Sequence, residues 1–318
     1  MPPYHPLSLL AALGRHGPRA IAASIFLGLL VPPAAALAKP LLLPCIVALL
    51  VISFLRTDLG QVRRGRHGRA VLFALVWIMG VLPAVFGYIV STLLPPSDNG
   101  ILLALMMQAA GPPIMSTPAF AAMLGLDATL SLAVMVSCLV AVPFTAPVLV
   151  AFFTDGALTL DGVALAGRLA VILAGTAGAG LGLRAGIGRP RIAAWNDHLN
   201  GINVLLLLVM AVAFMDGVTA YAIADPLLVA SLTGLAFLVT LVGLISTLFV
   251  FRWVGGGQDV IMGYAAGNRN LGLMVAATGG LLPETTWLYV ALAQFPIYLL
   301  PYLLRPLILH LTRPPAPL

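Results

Sequence analysis

GYAAGNRNLGLM, Gly263 to Met274, sets an arginine between two asparagines inside a run that is otherwise small and apolar. Gly267, Asn268, Asn270 and Gly272 are poor helix formers and good terminators, so a helix entering this stretch breaks there. The break matters because the surroundings are not water. The chain has 318 residues, 61% hydrophobic and 8% charged, too little polar surface to cover a soluble globule. With the bilayer as solvent, a broken helix leaves N–H and C=O groups without partners unless it lines a polar cavity or is buried in protein. An arginine at the helix centre costs about 2.5–3.5 kcal/mol on insertion scales, and so implies a partner or a pathway.

Apolar segments long enough to cross about 30 Å of hydrocarbon recur along the whole chain. Ten spans are predicted at about 19–37, 40–56, 70–94, 99–125, 128–153, 162–184, 198–216, 222–251, 258–281 and 285–311. The expected fold is an all-α polytopic membrane protein, one transmembrane domain over residues 1–318. The arginines support this count. With the N-terminus inside, the inner connections hold Arg56, Arg63, Arg64, Arg66, Arg69, Arg184, Arg189, Arg191 and Arg252, with Arg313 on the tail. The outer connections hold Asp98, Asp155, Asp161, Asp216, Asp225 and Glu284, and their only cations are Lys39 and Arg168. A wrong count would scramble that segregation, so both termini are expected in the cytoplasm. The first twenty residues lack the order of a cleaved signal and read as a cytoplasmic lead-in.

Other classes are disfavoured by composition. The net charge of +6 sits in short loops rather than on a basic face interleaved with aromatics, so nucleic acid is not an expected partner. One lysine against fifteen arginines, with abundant Ala, Gly and Leu, fits a GC-rich bacterial genome and hence the inner membrane. Cys45 and Cys138 lie in apolar runs without CxxC spacing and read as packing residues. His198 and His310 have no partner at metal-ligand spacing, and neither a metal nor a cofactor is expected.

A second break answers the first. In AGPPIMSTP, Ala110 to Pro118, adjacent prolines interrupt the fourth span by removing backbone donors and clashing with the preceding turn. Gly111 and Gly267 lie 156 residues apart, close to half of 318, and VPFTAP at 142–147 is echoed by LPYLLRP at 300–306. Five spans is an odd number, so the halves, about 19–154 and 162–312, are expected to be inverted repeats with helices 4 and 9 broken and crossing. Half-helix N-termini at such a crossing suit an anionic group. Ser116, Thr117, Asn268 and Asn270 flank the breaks and serve either as caps or as donors to a substrate. Gln108 and Gln294 are isolated amides in the fourth and tenth spans, either interhelical bonds or ligands, and Gln294 is counted with the candidate site. Asp127 opens DATL as an N-cap, and Trp287 reads as an interface anchor.

The order and spacing of FLRTDLGQVRR, of AGPP followed by MLGLDATLSLAVMVSCLVAVPFTAP, and of GNRNLGL resemble the bile acid:sodium symporter family over essentially the whole chain. The resemblance implies a core bundle whose broken helices cross at the midplane, a smaller panel of helices, and elevator-like alternating access for organic anions. Of the family's ninth-span pattern, Gly267, Asn270, Gly272 and Leu273 are kept, while Ala265 stands where an acid belongs and Arg269 where a glutamine belongs. Thr117 and Pro118 stand for a polar–asparagine pair that supplies sodium ligands, Ser131 matches a sodium-ligand serine, and Met135 replaces a threonine. A hard cation needs several oxygen ligands, so the usual sodium sites are largely missing. Arg269 stands where bound sodium supplies positive charge, balancing either an anionic substrate or helix C-terminal carbonyls.

The expected function is secondary transport of a small organic anion, independent of sodium, since no Walker motif is present to drive pumping. An arsenite-permease-like carrier is the nearest alternative, but such a carrier is expected to have a cysteine in the fourth span and an acid in the ninth, and neither is there. An intramembrane enzyme would need paired aspartates, HExxH or a serine with a histidine base, and Ser137 has no such partner. A non-transporting membrane sensor is the third reading. For the topology, cysteines substituted at Gln61 and Asp98 should react with an impermeant maleimide from opposite faces; labelling of both from one face would overturn the ten-span arrangement.

Overall fold

The computed structural model describes residues 23–58, 60, 68–123, 125–154, 161–253 and 258–311. Arg63, Arg64, Arg66, Arg313, Gln61 and Asp155 lie outside the described residues. Every regular element among those described is helical. In chain order they are α1 (23–30), α2 (Pro32–Arg56, through a tighter turn at Lys39–Leu41), α3 (Gly68–Leu93), α4 (Asn99–Ala110), α5 (Thr117–Met123), α6 (Ala128–Phe153), α7 (Gly162–Ile187) and α8 (Arg189–Ala194). There follow α9 (Asn196–Phe214), α10 (Val218–Ala224), α11 (Pro226–Phe251), α12 (Gln258–Gly267), α13 (Leu271–Thr278), α14 (Glu284–Leu292) and α15 (Gln294–Leu311). Six runs, α2, α3, α6, α7, α9 continued by α10, and α11, are long and apolar enough to cross a membrane, so the chain is a multi-pass membrane protein.

The acidic residues of the connections set where helices begin. Asp98, Asp127, Asp161 and Asp225 accept hydrogen bonds from first-turn N–H groups of α4, α6, α7 and α11. Each such cap satisfies donors that have no intrahelical acceptor, worth about 1 kcal/mol. The N-cap reading of Asp127 holds.

The first boundary differs from expectation. The sequence places a turn at 38–39, whereas the chain leaves helix at Val31 (φ −126°, ψ 74°) and then runs without reversal from Pro32 to Arg56. The residue before a proline avoids helical dihedrals, and Pro32 and Pro33 fit the donor-free first turn of the next helix. Lys39 lies inside this run rather than in a loop. The tenth predicted span is also divided, at Ala293, where Pro296 cannot donate to the Leu292 carbonyl.

Two groups of helices pack through glycines. A Cβ at Gly180 of α7 would lie 2.6 Å from both the Phe54 Cβ and the Val51 carbonyl of α2, so these two helices touch backbone to backbone. On the other side, a Cβ at Gly267 of α12 would lie 2.8 Å from the Thr240 carbonyl of α11, and one at Gly243 would lie 3.0 Å from the Ala266 carbonyl. Between the groups runs α13, with Gly272 against Ile46 of α2 and the Thr278 carbonyl accepting from Arg168 of α7 at 2.7 Å. The half-helices α4, α12 and α13 are the centre: Leu103 to Ala110 and Ile261 to Gly267 are buried without interruption. The outward faces carry Phe144, Phe152, Val171 and Phe249, an apolar exposure that suits hydrocarbon.

Charges collect at two opposite ends of α2 and α9. At one, Asp58 pairs with Arg189 (2.8 Å) and Arg184 (3.7 Å), and Arg56 donates to Asn196. At the other, Lys39 pairs with Asp216 at 2.8 Å and lies 4.8 Å from the Trp287 ring, whose Nε1 donates to the Asp216 carbonyl. Tyr221–Glu284 and Thr285–Asp98 hydrogen bonds join this second cluster. Gly180→Ala should lower stability by about 1–3 kcal/mol through overpacking, whereas Gly182→Ala, with nothing within 4 Å of its Cβ, should be neutral or slightly stabilising. Thermal unfolding in detergent compares the two directly.

Candidate functional site

The two breaks lie against each other. Helix α4 ends where Gly111 N–H donates to the Met107 carbonyl, and Pro112 and Pro113 offer no donor to prolong it. Helix α12 ends at Gly267, two residues before Arg269. Across the gap, Ile114 N–H donates to the Asn268 carbonyl (2.9 Å) and Asn270 N–H donates to the Pro112 carbonyl (2.7 Å). These two bonds flank Pro113 and Arg269 as a short antiparallel bridge, the one piece of β-type pairing among the described residues. Each broken helix thus supplies backbone partners to the other, which is how irregular backbone becomes tolerable away from water.

The Arg269 side chain completes the arrangement. It is 3% exposed, and its Nε donates to the Ala266 carbonyl at 2.7 Å. Nη1 donates to the Gly111 carbonyl at 2.9 Å and to the Ile78 carbonyl at 3.2 Å, and Nη2 reaches the Ile78 carbonyl at 3.2 Å. All three carbonyls lack their ordinary helical partners. Ala266 would receive the Asn270 N–H, which is bonded to Pro112 instead. Gly111 lies past the last turn of α4. Ile78 sits in a widened turn of α3, Trp77–Val81, where Leu82 N–H bonds to Trp77 and the next residue, Pro83, has no N–H. The guanidinium therefore joins the carbonyl ends of two half-helices, where the helix dipole is negative, to an orphaned carbonyl on a third helix.

The other expected residues divide. Asn270 caps α13, its Oδ1 accepting from Leu273 N–H at 3.0 Å. Thr117, 1% exposed, turns its hydroxyl back onto the Ile114 carbonyl at the start of α5. Ser116 is exposed beside the break, near the hydroxyl of Tyr264, whose ring stacks on Phe120 at 4.0 Å and so ties α5 to α12. Asn268 is fully buried; its Nδ2 donates to the Tyr264 carbonyl, while its Oδ1 has no partner. Ser131, 1% exposed on α6, has an Oγ without a hydrogen-bond partner among the described residues, and no hydrogen bond joins it to the breaks. Gln294 stands apart: its amide donates to the Val290 carbonyl one turn back in its own helical run, and no hydrogen bond joins it to the breaks. Gln108 forms an interhelical bond, accepting from Tyr289 at 2.6 Å and donating to Thr240 at 3.1 Å.

Of the two alternatives the sequence leaves for Arg269, an anion or helix C-terminal carbonyls, the structure sets C-terminal carbonyls against the guanidinium, while Asn270 caps the N-terminus of α13. Ile78 escaped the sequence reading, and Pro83 in GVLP was its only signal. No protein-family model matches this chain, and comparison with curated proteins finds no match either.

Removing the guanidinium should be costly. Each buried carbonyl left unsatisfied costs about 1–3 kcal/mol, so Arg269→Met should destabilise far more than Asn270→Ala, which loses one cap worth about 1 kcal/mol. Arg269→Lys should fall between them, since an ammonium can serve some of these carbonyls but not with a planar fork. Thermal unfolding of the three variants in one detergent gives the order.

Proposed function

We propose that this chain is a secondary transporter that carries a small organic anion across the inner membrane by alternating access, in the manner of the bile acid:sodium symporter family. In this reading ten spans form two inverted five-helix repeats with both termini cytoplasmic. The substrate binds at the crossing of the broken helices, beside Ser116, Thr117, Asn268 and Asn270. The observation that carries the reading is the reciprocal pairing of the breaks around one buried guanidinium. Packing alone does not require two interruptions at matching depth in separate halves of a chain, and such breaks are the recurring construction of transporter sites. The unpartnered Asn268 Oδ1 adds polar capacity at the bridge.

Arg269 takes the part of a resident cation in this proposal. A coupled carrier uses sodium both to hold carbonyl ends together and to report the gradient; a tethered guanidinium does only the first, because arginine keeps its proton at physiological pH. Transport then proceeds as exchange or facilitated diffusion.

Thermal shift of the purified protein against a panel of small carboxylates should find anions that raise the unfolding temperature equally in sodium and in choline, with radiolabelled counterflow in proteoliposomes showing the same indifference. Ser116→Ala should weaken that shift, read against the variant's own ligand-free unfolding temperature because the substitution also removes a polar neighbour of the buried Tyr264 hydroxyl. Strong stimulation by sodium would refute the resident-cation reading, and a panel without any stabilising or exchanging anion would refute anion transport.

A further inference from the structure

A cavity of about 30 Å³ opens beside Arg269, on the side where α3 and α11 face the hydrocarbon. Its outer wall is Leu82 and Phe86 of α3 with Val239 and Val242 of α11, and Val242 is 44% exposed at the mouth. Its inner wall includes Gln108, Gly267 and Arg269. Close by, the Trp77 Nε1 donates to Thr247 Oγ1 at 2.9 Å, which holds α3 and α11 together. These residues fall near the middle of two 26-residue runs, so the mouth looks sideways into the bilayer rather than toward either aqueous face.

The polar groups in this cavity are donors. Gln108 Oε1 is taken by Tyr289, and one Nε2 hydrogen by Thr240, leaving the second Nε2 hydrogen without an acceptor among the described residues. Arg269 Nη2 likewise has one hydrogen on the Ile78 carbonyl and one without an acceptor. A ligand here must therefore bring an acceptor atom. The volume admits a compact head and no more. An anionic head would match the charge, but drawing a carboxylate to mid-membrane depth costs about 2.5 kcal/mol or more, and the guanidinium is already compensated by three carbonyl dipoles. A neutral carbonyl, carried by a molecule already dissolved in hydrocarbon, incurs no such cost and gains a charge-assisted hydrogen bond.

We propose that the cavity between α3 and α11 binds a neutral, carbonyl-bearing apolar molecule that enters laterally from the bilayer, its oxygen accepting from Arg269 and Gln108. The assignment does not depend on transport.

A methyl alkyl ketone with a photoreactive diazirine on its chain, whose acetyl end is a compact neutral head, is the test probe, applied to the full chain in proteoliposomes. Irradiation should give saturable adducts on Leu82–Phe86 and Val239–Gly243. Methyl nonyl ketone should compete at concentrations about tenfold lower than undecane, the factor expected for one hydrogen bond to a charged donor. Val242→Trp, which fills a lipid-facing mouth, should cut these adducts about tenfold. Adducts that do not saturate, that spread along all exposed faces, or that yield equally to ketone and alkane overturn the site. Stronger competition by undecanoate overturns the neutral-ligand assignment. Should the tryptophan variant fail to fold, the competition series on the unaltered protein still decides the matter.

Discussion

One guanidinium on three carbonyls is the constraint from which the centre of this molecule follows. The C-terminal ends of α4 and α12 meet at Gly111 and Ala266, and two negative dipole ends in a dry interior repel unless a cation stands between them. Lysine would supply charge, but its compact ammonium cannot reach three oxygens disposed around a plane. Arginine donates four hydrogen bonds here, in the directions its fork allows, and does so without releasing its proton. Burying that charge is costly, and the cost is tolerable only because the carbonyls would themselves be unsatisfied without it. Neither party is stable in hydrocarbon alone.

The prolines and the arginine are therefore two halves of one device. Pro83 removes the donor that Ile78 would otherwise receive in its widened turn, and Pro112 and Pro113 end α4. What remains is spread over three helices remote in sequence, and Arg269 gathers it. The bridge formed by Ile114 with Asn268 and by Asn270 with Pro112 fixes the register in which this happens. Gly243 and Gly267 let α11 and α12 approach until no Cβ would fit, which brings Thr240, and through it Gln108 and Tyr289, into the same buried network.

Breaks were legible in the sequence because glycine, asparagine and proline act locally; the long runs Ala128–Phe153 and Gly162–Ile187 were legible because their apolar residues are contiguous. The N-cap of Asp127 needed only its position before a helix. What could not be read was long-range pairing. GNRNLG announces a charge that requires a partner, yet whether that partner is an anion or a set of carbonyls depends on which oxygens lie within 3.2 Å, and that is decided by α3 and α4. Val31 was missed for a different reason: Pro32–Pro33 and Lys39–Pro40 both interrupt the apolar run, and Lys39 looked like the loop residue though its ammonium snorkels from within a helix to Asp216 and Trp287. Gln294 could be read only as an interhelical bond or a ligand, because no sequence signal shows that its amide reaches back across the kink at Ala293 to the Val290 carbonyl.

If the chain moves a substrate as proposed, the same device limits how it can move. Hydrogen bonds from one side chain to α3, α4 and α12 resist sliding among those three helices, since any shift of an ångström or more would strand carbonyls in hydrocarbon. Motion is cheaper where contacts are polar, peripheral and replaceable by water. Those are the contacts of Trp287 with Lys39 and the Asp216 carbonyl, the Tyr221–Glu284 hydrogen bond, and the reach of Arg168 to the end of α13. Contacts of this kind, few and at the periphery, are cheaper to exchange for water than the buried carbonyl bonds of Arg269, so a group held rigid by Arg269 can rock against α2, α7 and α9 while its own centre stays intact. A fixed internal cation thus favours rigid-body exchange over ion-driven remodelling, because the charge that organises the crossing never leaves it.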